Sequence, residues 1–227
     1  MKFTNRWAKQ SGTSLMEVLV AMSISLVVSA SMLALMSNSL ANTTRIIQMT
    51  KLTDNLRIAL LLMSRDLRRT SYSADAVYCF GNPDCGTDGS VSLPGDVTIN
   101  DGNDCIIFLL DRDHDGDATE NDAGGFRRKS SNGVGWLQSW VGDSSPDCAS
   151  EHANWVNITD PNIMEITAFS VDDDLSYTEV IWDNGFGVQK FQKVRKLRMS
   201  IEGRLLVDAT IQRSIGDVIK LRNNIYF

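Results

Sequence analysis

From Thr13 to Phe80 the chain contains no glycine and no proline. Nothing in that stretch supplies the missing donor or the loose backbone that ends a helix. Charge is nearly absent from its first third, where Glu17 is the one charged residue between Thr13 and Met36. Imidazole is scarce throughout, with His114 and His152 alone available as bases. There is no G-x-S-x-G, no phosphate-cradling glycine motif and no H-E-x-x-H. These absences argue against an enzyme and against an organic cofactor.

What is present first is one long helix. Residues 13–36 form an apolar run of about 24 residues, which at about 1.5 Å each exceeds the ~30 Å hydrocarbon core of a bilayer. Residues 1–12 form a polar leader with Lys2, Arg6 and Lys9 and no acid, a charge pattern that holds it in the cytoplasm. The run is too long for the apolar region of a secretory signal, which spans about 7–15 residues. Glu17 needs an explanation, because a carboxylate one turn inside a membrane helix costs several kcal/mol unless it is paired.

Residues 37–72 continue the helix in amphipathic form. Met49, Leu52, Leu56, Leu60, Met63 and Leu67 recur three or four apart and make one apolar stripe. Charged residues fill the other faces, and Thr70–Ser73 is a polar end. Residues 73–227 are different in kind, holding all four prolines and every glycine except Gly12. Apolar runs recur at Cys105–Leu110, Val134–Leu137, Ile163–Val171, Thr178–Trp182, Val194–Ile201 and Leu205–Ile211. Several alternate polar with apolar, the period of a half-buried strand, and Gly203 suits a turn between the last two. The expected class is α+β: one long N-terminal helix, transmembrane in its first half, packed on an antiparallel sheet.

The net charge of −6 is unevenly spread, since nearly all the acids follow residue 72. Such a domain is a poor partner for nucleic acid. Small basic clusters at Arg127–Lys129 and Lys193–Arg198 read as solvated strand faces or a subunit contact. Trp136, Trp140, Trp155 and Trp182 read as packing residues rather than a ligand site. His114 and His152 read as surface side chains. Four cysteines, Cys79, Cys85, Cys105 and Cys148, all lie beyond the membrane run, where an even number favours disulfides. Of three pairings, Cys79–Cys85 with Cys105–Cys148 is preferred, because the first closes a tight Gly-Asn-Pro loop.

Asp111-Arg-Asp113-His-Asp115-Gly116-Asp117-Ala-Thr119-Glu-Asn-Asp122 opens as a calcium loop does. Alternate carboxylates in a curled loop converge on one hard cation, and Gly116 permits the turn. Asp111, Asp113 and Asp115 would be side-chain ligands, Asp117 a carbonyl ligand, Thr119 a direct or water-mediated one and Asp122 the closing carboxylate. The closing residue departs from the usual bidentate Glu, and the flanks read as strands rather than paired helices. The competing reading is a solvated acidic hairpin.

Gly12-Thr-Ser-Leu-Met-Glu17-Val resembles the signal of type IV prepilins, a basic leader ending in Gly followed by an apolar helix with Glu at its fifth position. The resemblance implies cleavage by prepilin peptidase between Gly12 and Thr13 and N-methylation of Thr13, although Phe or Met commonly stands at that position. It also implies pairing of the new amine with Glu17 of the same or a neighbouring subunit. Asn55-Leu-Arg-Ile-Ala-Leu, Ser64-Arg-Asp-Leu-Arg-Arg, Cys105-Ile-Ile-Phe-Leu-Leu-Asp-Arg-Asp-His-Asp-Gly, Gly125-Phe-Arg-Arg, Ile158-Thr-Asp-Pro and the terminal Val218-Ile-Lys-Leu-Arg-Asn extend it to PilW-like minor pilins. These are relatives of the J-type minor pseudopilins of type II secretion. The implied protein is a low-copy subunit anchored once in the bacterial inner membrane, its C-terminal domain in the periplasm and later at the pilus tip. Its implied partners are other minor pilins, the major pilin, prepilin peptidase and the assembly platform. Alternatives are a secretion pseudopilin and a membrane-anchored periplasmic binding or adhesion protein.

Overall fold

A computed structural model describes residues 12, 14–72, 97–112, 114, 122–142, 144–183, 189–222 and 225–226. The order is one helix, α1 (Leu15–Leu67), then eleven strands. These are β1 (Thr98–Ile99), β2 (Cys105–Leu109), β3 (Ala123–Ser131), β4 (Val134–Trp140), β5 (Trp155–Asn157), β6 (Met164–Asp172), β7 (Tyr177–Asp183), β8 (Gln189–Val194), β9 (Lys196–Leu205), β10 (Gln212–Lys220) and β11 (Ile225–Tyr226). All pairings are antiparallel. The class is therefore the expected α+β, with three sheets where one was expected: β1-β2-β3-β4-β5, β10-β9-β6 and β11-β8-β7.

The chain divides into two compact units, Met1–Ile47 and Gln48–Phe227. In the first, the described helical residues from Leu15 onward leave their side chains exposed, and α1 is long and apolar enough to cross a membrane. Some of its hydroxyls are satisfied within the helix: Ser23 donates to Leu19 O and Ser31 to Val27 O, each at 2.8 Å. Such back-bonding lets serine sit where no water is available.

In the second unit the expected stripe is the buried face of α1. Leu52, Leu56, Leu60, Met63 and Leu67 join one core with Ile106, Phe108, Phe126, Leu137, Ile166, Leu197, Met199 and Ile201, and Met49 packs at its edge. β9 alternates strictly, sending Leu197, Met199, Ile201 and Leu205 inward. Gly203 lies inside this strand and not at a turn. A Cβ there would stand 3.2 Å from Leu56 Cδ2, so the missing side chain lets the helix approach. The turn lies at residues 206–211, where Leu205 N–H donates to Ile211 O and Asp208 Oδ1 accepts from Thr210 N–H. The expected strand Leu205–Ile211 is thus the hairpin bend, and the true partner strand is the more polar β10.

α1 stops five residues before the expected Tyr72. Thr70 N–H turns to Leu67 O, and Ser71 adopts a left-handed φ of 58°, the conformation that closes many helices. Ser71 N–H then donates to Leu109 O and Asp111 N–H to Tyr72 O, both at 2.8 Å. The chain leaves the helix because the free end of β2 supplies backbone partners.

Candidate functional site

At the N-terminal end, Gly12 and Glu17 are described and Thr13 lies outside the described residues. A Cβ at Gly12 would meet nothing within 4 Å. Glu17 occupies the first turn of α1, its N–H donating to Ser14 O at 2.9 Å. The carboxylate is exposed there, at the helix end whose dipole favours a negative group. The arrangement presents an acid laterally, available to a positive partner.

The acidic segment is anchored at both ends. Asp111 and Asp122 are 0% and 2% exposed and flank the last register pair of the β2–β3 ladder, Leu109 with Ala123. Leu110 N–H donates to Asp122 O, and Arg112 N–H donates to Asp122 Oδ1 at 2.8 Å. Asp113, Asp115, Asp117 and Thr119 lie outside the described residues. Among the described residues no group of three or more metal-ligating side chains occurs. His114 is exposed, as expected, with its ring edge-on to Tyr72 at 5.6 Å.

Cys105 and Cys148 form a disulfide with Cα atoms 6.0 Å apart, the expected second pair, while Cys79 and Cys85 lie outside the described residues. This bond belongs to a second, smaller core built on the face of the five-stranded sheet turned away from the main one. The register places Cys105, Arg127, Gln138 and Asn157 in one cross-strand row. Arg127 Nε donates to Gln138 Oε1 and Gln138 Nε2 to Asn157 Oδ1, each at 2.9 Å. Trp140 and Trp155 are buried beside the row with ring centroids 5.3 Å apart, which fits their reading as packing residues. Both indole N–H groups are satisfied by the 144–147 loop, at Ser144 O and Asp147 O.

Arg127 corrects the expectation of a solvated basic face. Its side chain is buried, and NH1 donates to Cys148 O at 2.9 Å and to Ser150 O at 2.6 Å. Burial pulls its pKa below the usual arginine value, against the opposing fields of Glu151 and Asp147. Arg128 donates to Ile166 O, tying β3 to β6, and Lys129 pairs with Glu151. That hydrogen bond holds the Glu151 carboxyl below its ordinary range. Arg195 is equally displaced from expectation. It interrupts the expected strand Val194–Ile201, lies buried between β8 and β9, and donates to Ser71 Oγ at 2.9 Å. Neither burial was legible from the sequence; the position of Arg127 opposite Cys105 comes from the strand register.

No curated protein and no solved structure matches the chain. A family model, that of prepilin peptidase-dependent protein B, matches residues 45–221. That span takes in the amphipathic half of α1 and nearly the whole β-rich unit. The chain therefore belongs to the prepilin peptidase-dependent protein B family and is a type IV pilin-related protein.

Proposed function

We propose that the protein is a minor pilin, which takes part in initiating and assembling a type IV pilus within a tip complex of minor pilins. The observation that carries this reading is a coincidence on one chain. A Gly12–Glu17 prepilin-type signal opens a helix of membrane-spanning length, and residues 45–221 match a prepilin peptidase-dependent family. In this reading prepilin peptidase cuts between Gly12 and Thr13. The freed amine of Thr13, whether methylated or not, is the cation for Glu17 of its own or a neighbouring chain. A carboxylate in lipid is costly alone and far less so when paired, so subunits join where amine and acid meet. The subunit waits in the inner membrane with residues 73–227 in the periplasm, until the assembly platform moves it into the filament beside the major pilin. The alternative of a type II secretion pseudopilin shares every one of these steps.

We further propose that the 111–122 loop takes calcium as a structural ion. The support is the donor set and the two buried carboxylates at its ends, whose desolvation a cation would offset.

The test of the main reading is the intact mass of the protein from native membranes. A chain beginning at Thr13 is expected, and Gly12→Leu should leave the full-length precursor. Glu17→Ala should insert and be cleaved yet fail to retain other minor pilins in pull-downs. A full-length wild-type chain, or undiminished pull-down by Glu17→Ala, would overturn it.

A further inference from the structure

Two segments remote in sequence bring arginines together beyond the C-terminal end of α1, and a third adds a histidine. Arg68, Arg69, Tyr72, His114 and Arg222 line a pocket of about 390 Å³. Backbone bonds set the arrangement: Arg222 N–H donates to Arg68 O at 3.3 Å, and Ser71 N–H to Leu109 O at 2.8 Å. The His114 ring, standing edge-on to Tyr72, adds an aromatic wall. The buried Arg195 donates to Ser71 Oγ, in the segment that carries Arg69 and Tyr72 of the pocket.

Basic residues at a helix C-terminus need no ligand, because the dipole favours them. That accounts for Arg68 and Arg69 and not for Arg222, which arrives from the far end of the chain. Among the described residues no carboxylate lies within ion-pair distance of Arg68, Arg69 or Arg222. Guanidinium groups lining one pocket repel one another, and their planar forks match a carboxylate or phosphate. The volume admits one or two side chains.

Residues after 72 hold 25 of the 28 acids and 13 of the 22 Lys and Arg. By formal charge that part of the chain is therefore acidic as a whole and repels a long polyanion, whose binding requires an extended basic stripe. An anionic membrane surface meets the same repulsion. A short acidic segment needs the pocket alone.

We propose that this pocket binds a carboxylate-bearing segment of a partner protein. The proposal stands apart from the pilus reading, since it can be measured on the isolated chain. Full-length protein in non-ionic detergent is titrated calorimetrically with the peptide Ac-Glu-Glu-Glu-Glu-NH₂, and in parallel with a short single-stranded oligodeoxynucleotide. Saturable peptide binding is expected, weakened about tenfold or more in R69Q/R222Q and unchanged in R65Q, whose side chain pairs with Asp66 instead. Should the double variant unfold at lower temperature, R222Q alone carries the comparison. Absence of peptide binding, equal binding by the variants, or tighter binding of the oligonucleotide would overturn the assignment.

Discussion

The guanidinium carbon of Arg127 lies 4.3 Å from the centroid of the Trp155 ring. Around that contact one side chain does three jobs. Its Nε extends the polar row across β3, β4 and β5, its NH1 holds two carbonyls of the 148–150 segment, and its plane covers an indole. A loop without regular structure is thereby fastened to a sheet whose other face already belongs to the main core.

Removing Arg127 should therefore be costly. Arg127→Met keeps some bulk but leaves Gln138 and two carbonyls without their donor, so a loss of about 2–3 kcal/mol is expected. Chemical denaturation followed by circular dichroism reads it, and a loss under about 0.5 kcal/mol would mean that water replaces the guanidinium freely.

The disulfide closes a separation of 43 residues. Replacing both Cys105 and Cys148 with Ala should cost about 2–4 kcal/mol. Trp140 and Trp155 pack against this bond in the same small core, so their fluorescence should also shift to longer wavelength. An unchanged emission would separate the two halves of that core.

Two residues on opposite faces of α1 make a control pair. Leu56 is buried at 0% exposure while Ile58 is 65% exposed. Leu56→Ala should destabilise by about 2–5 kcal/mol, and Ile58→Ala by no more than about 0.5 kcal/mol. A large effect of Ile58→Ala on the monomer would contradict the described burial.

Glu151 should titrate below its ordinary value because Lys129 bonds to the ionised form. A depressed folded pKa stabilises the fold above the unfolded value, and that contribution disappears as pH falls through the lower folded one. Carboxyl NMR titration should show the depression in wild type and its loss in Lys129→Met. Glu151 is exposed, so the effect on stability should be small and weaken in salt.

Calcium should raise the unfolding temperature if the acidic loop binds it, following RT ln(1 + [L]/Kd). Asp113→Ala with Asp115→Ala should abolish the response while leaving stability in chelator unchanged or slightly higher, since repulsion is relieved. Equal shifts in wild type and variant, or none in either, would leave the loop a solvated turn.

Local pattern determined a good deal by itself. The absence of glycine and proline, together with a repeat of three and four, was enough to specify α1 and its buried stripe, because helix period is a property of neighbouring residues. Alternation marked the first part of β9, Lys196–Ile201, for the same reason, but not its continuation through Gly203 to Leu205. Cys105–Cys148 was among the three pairings open from sequence, and Gly12 and Glu17 stood out through the resemblance to the prepilin signal. What tertiary structure decided was everything set by a remote partner. α1 ends at Leu67 because Leu109 offers a carbonyl to Ser71, a residue whose own type gives no such signal. Gly203 stays inside a strand because Leu56 presses against it, and β3 keeps Gly124 because the Phe108 ring occupies the space of a side chain. Arg127 and Arg195 are buried because carbonyls and hydroxyls from other segments replace their water. A charged residue in sequence is silent about such partners, since the desolvation it suffers and the bonds that offset it are created only when distant chain segments meet.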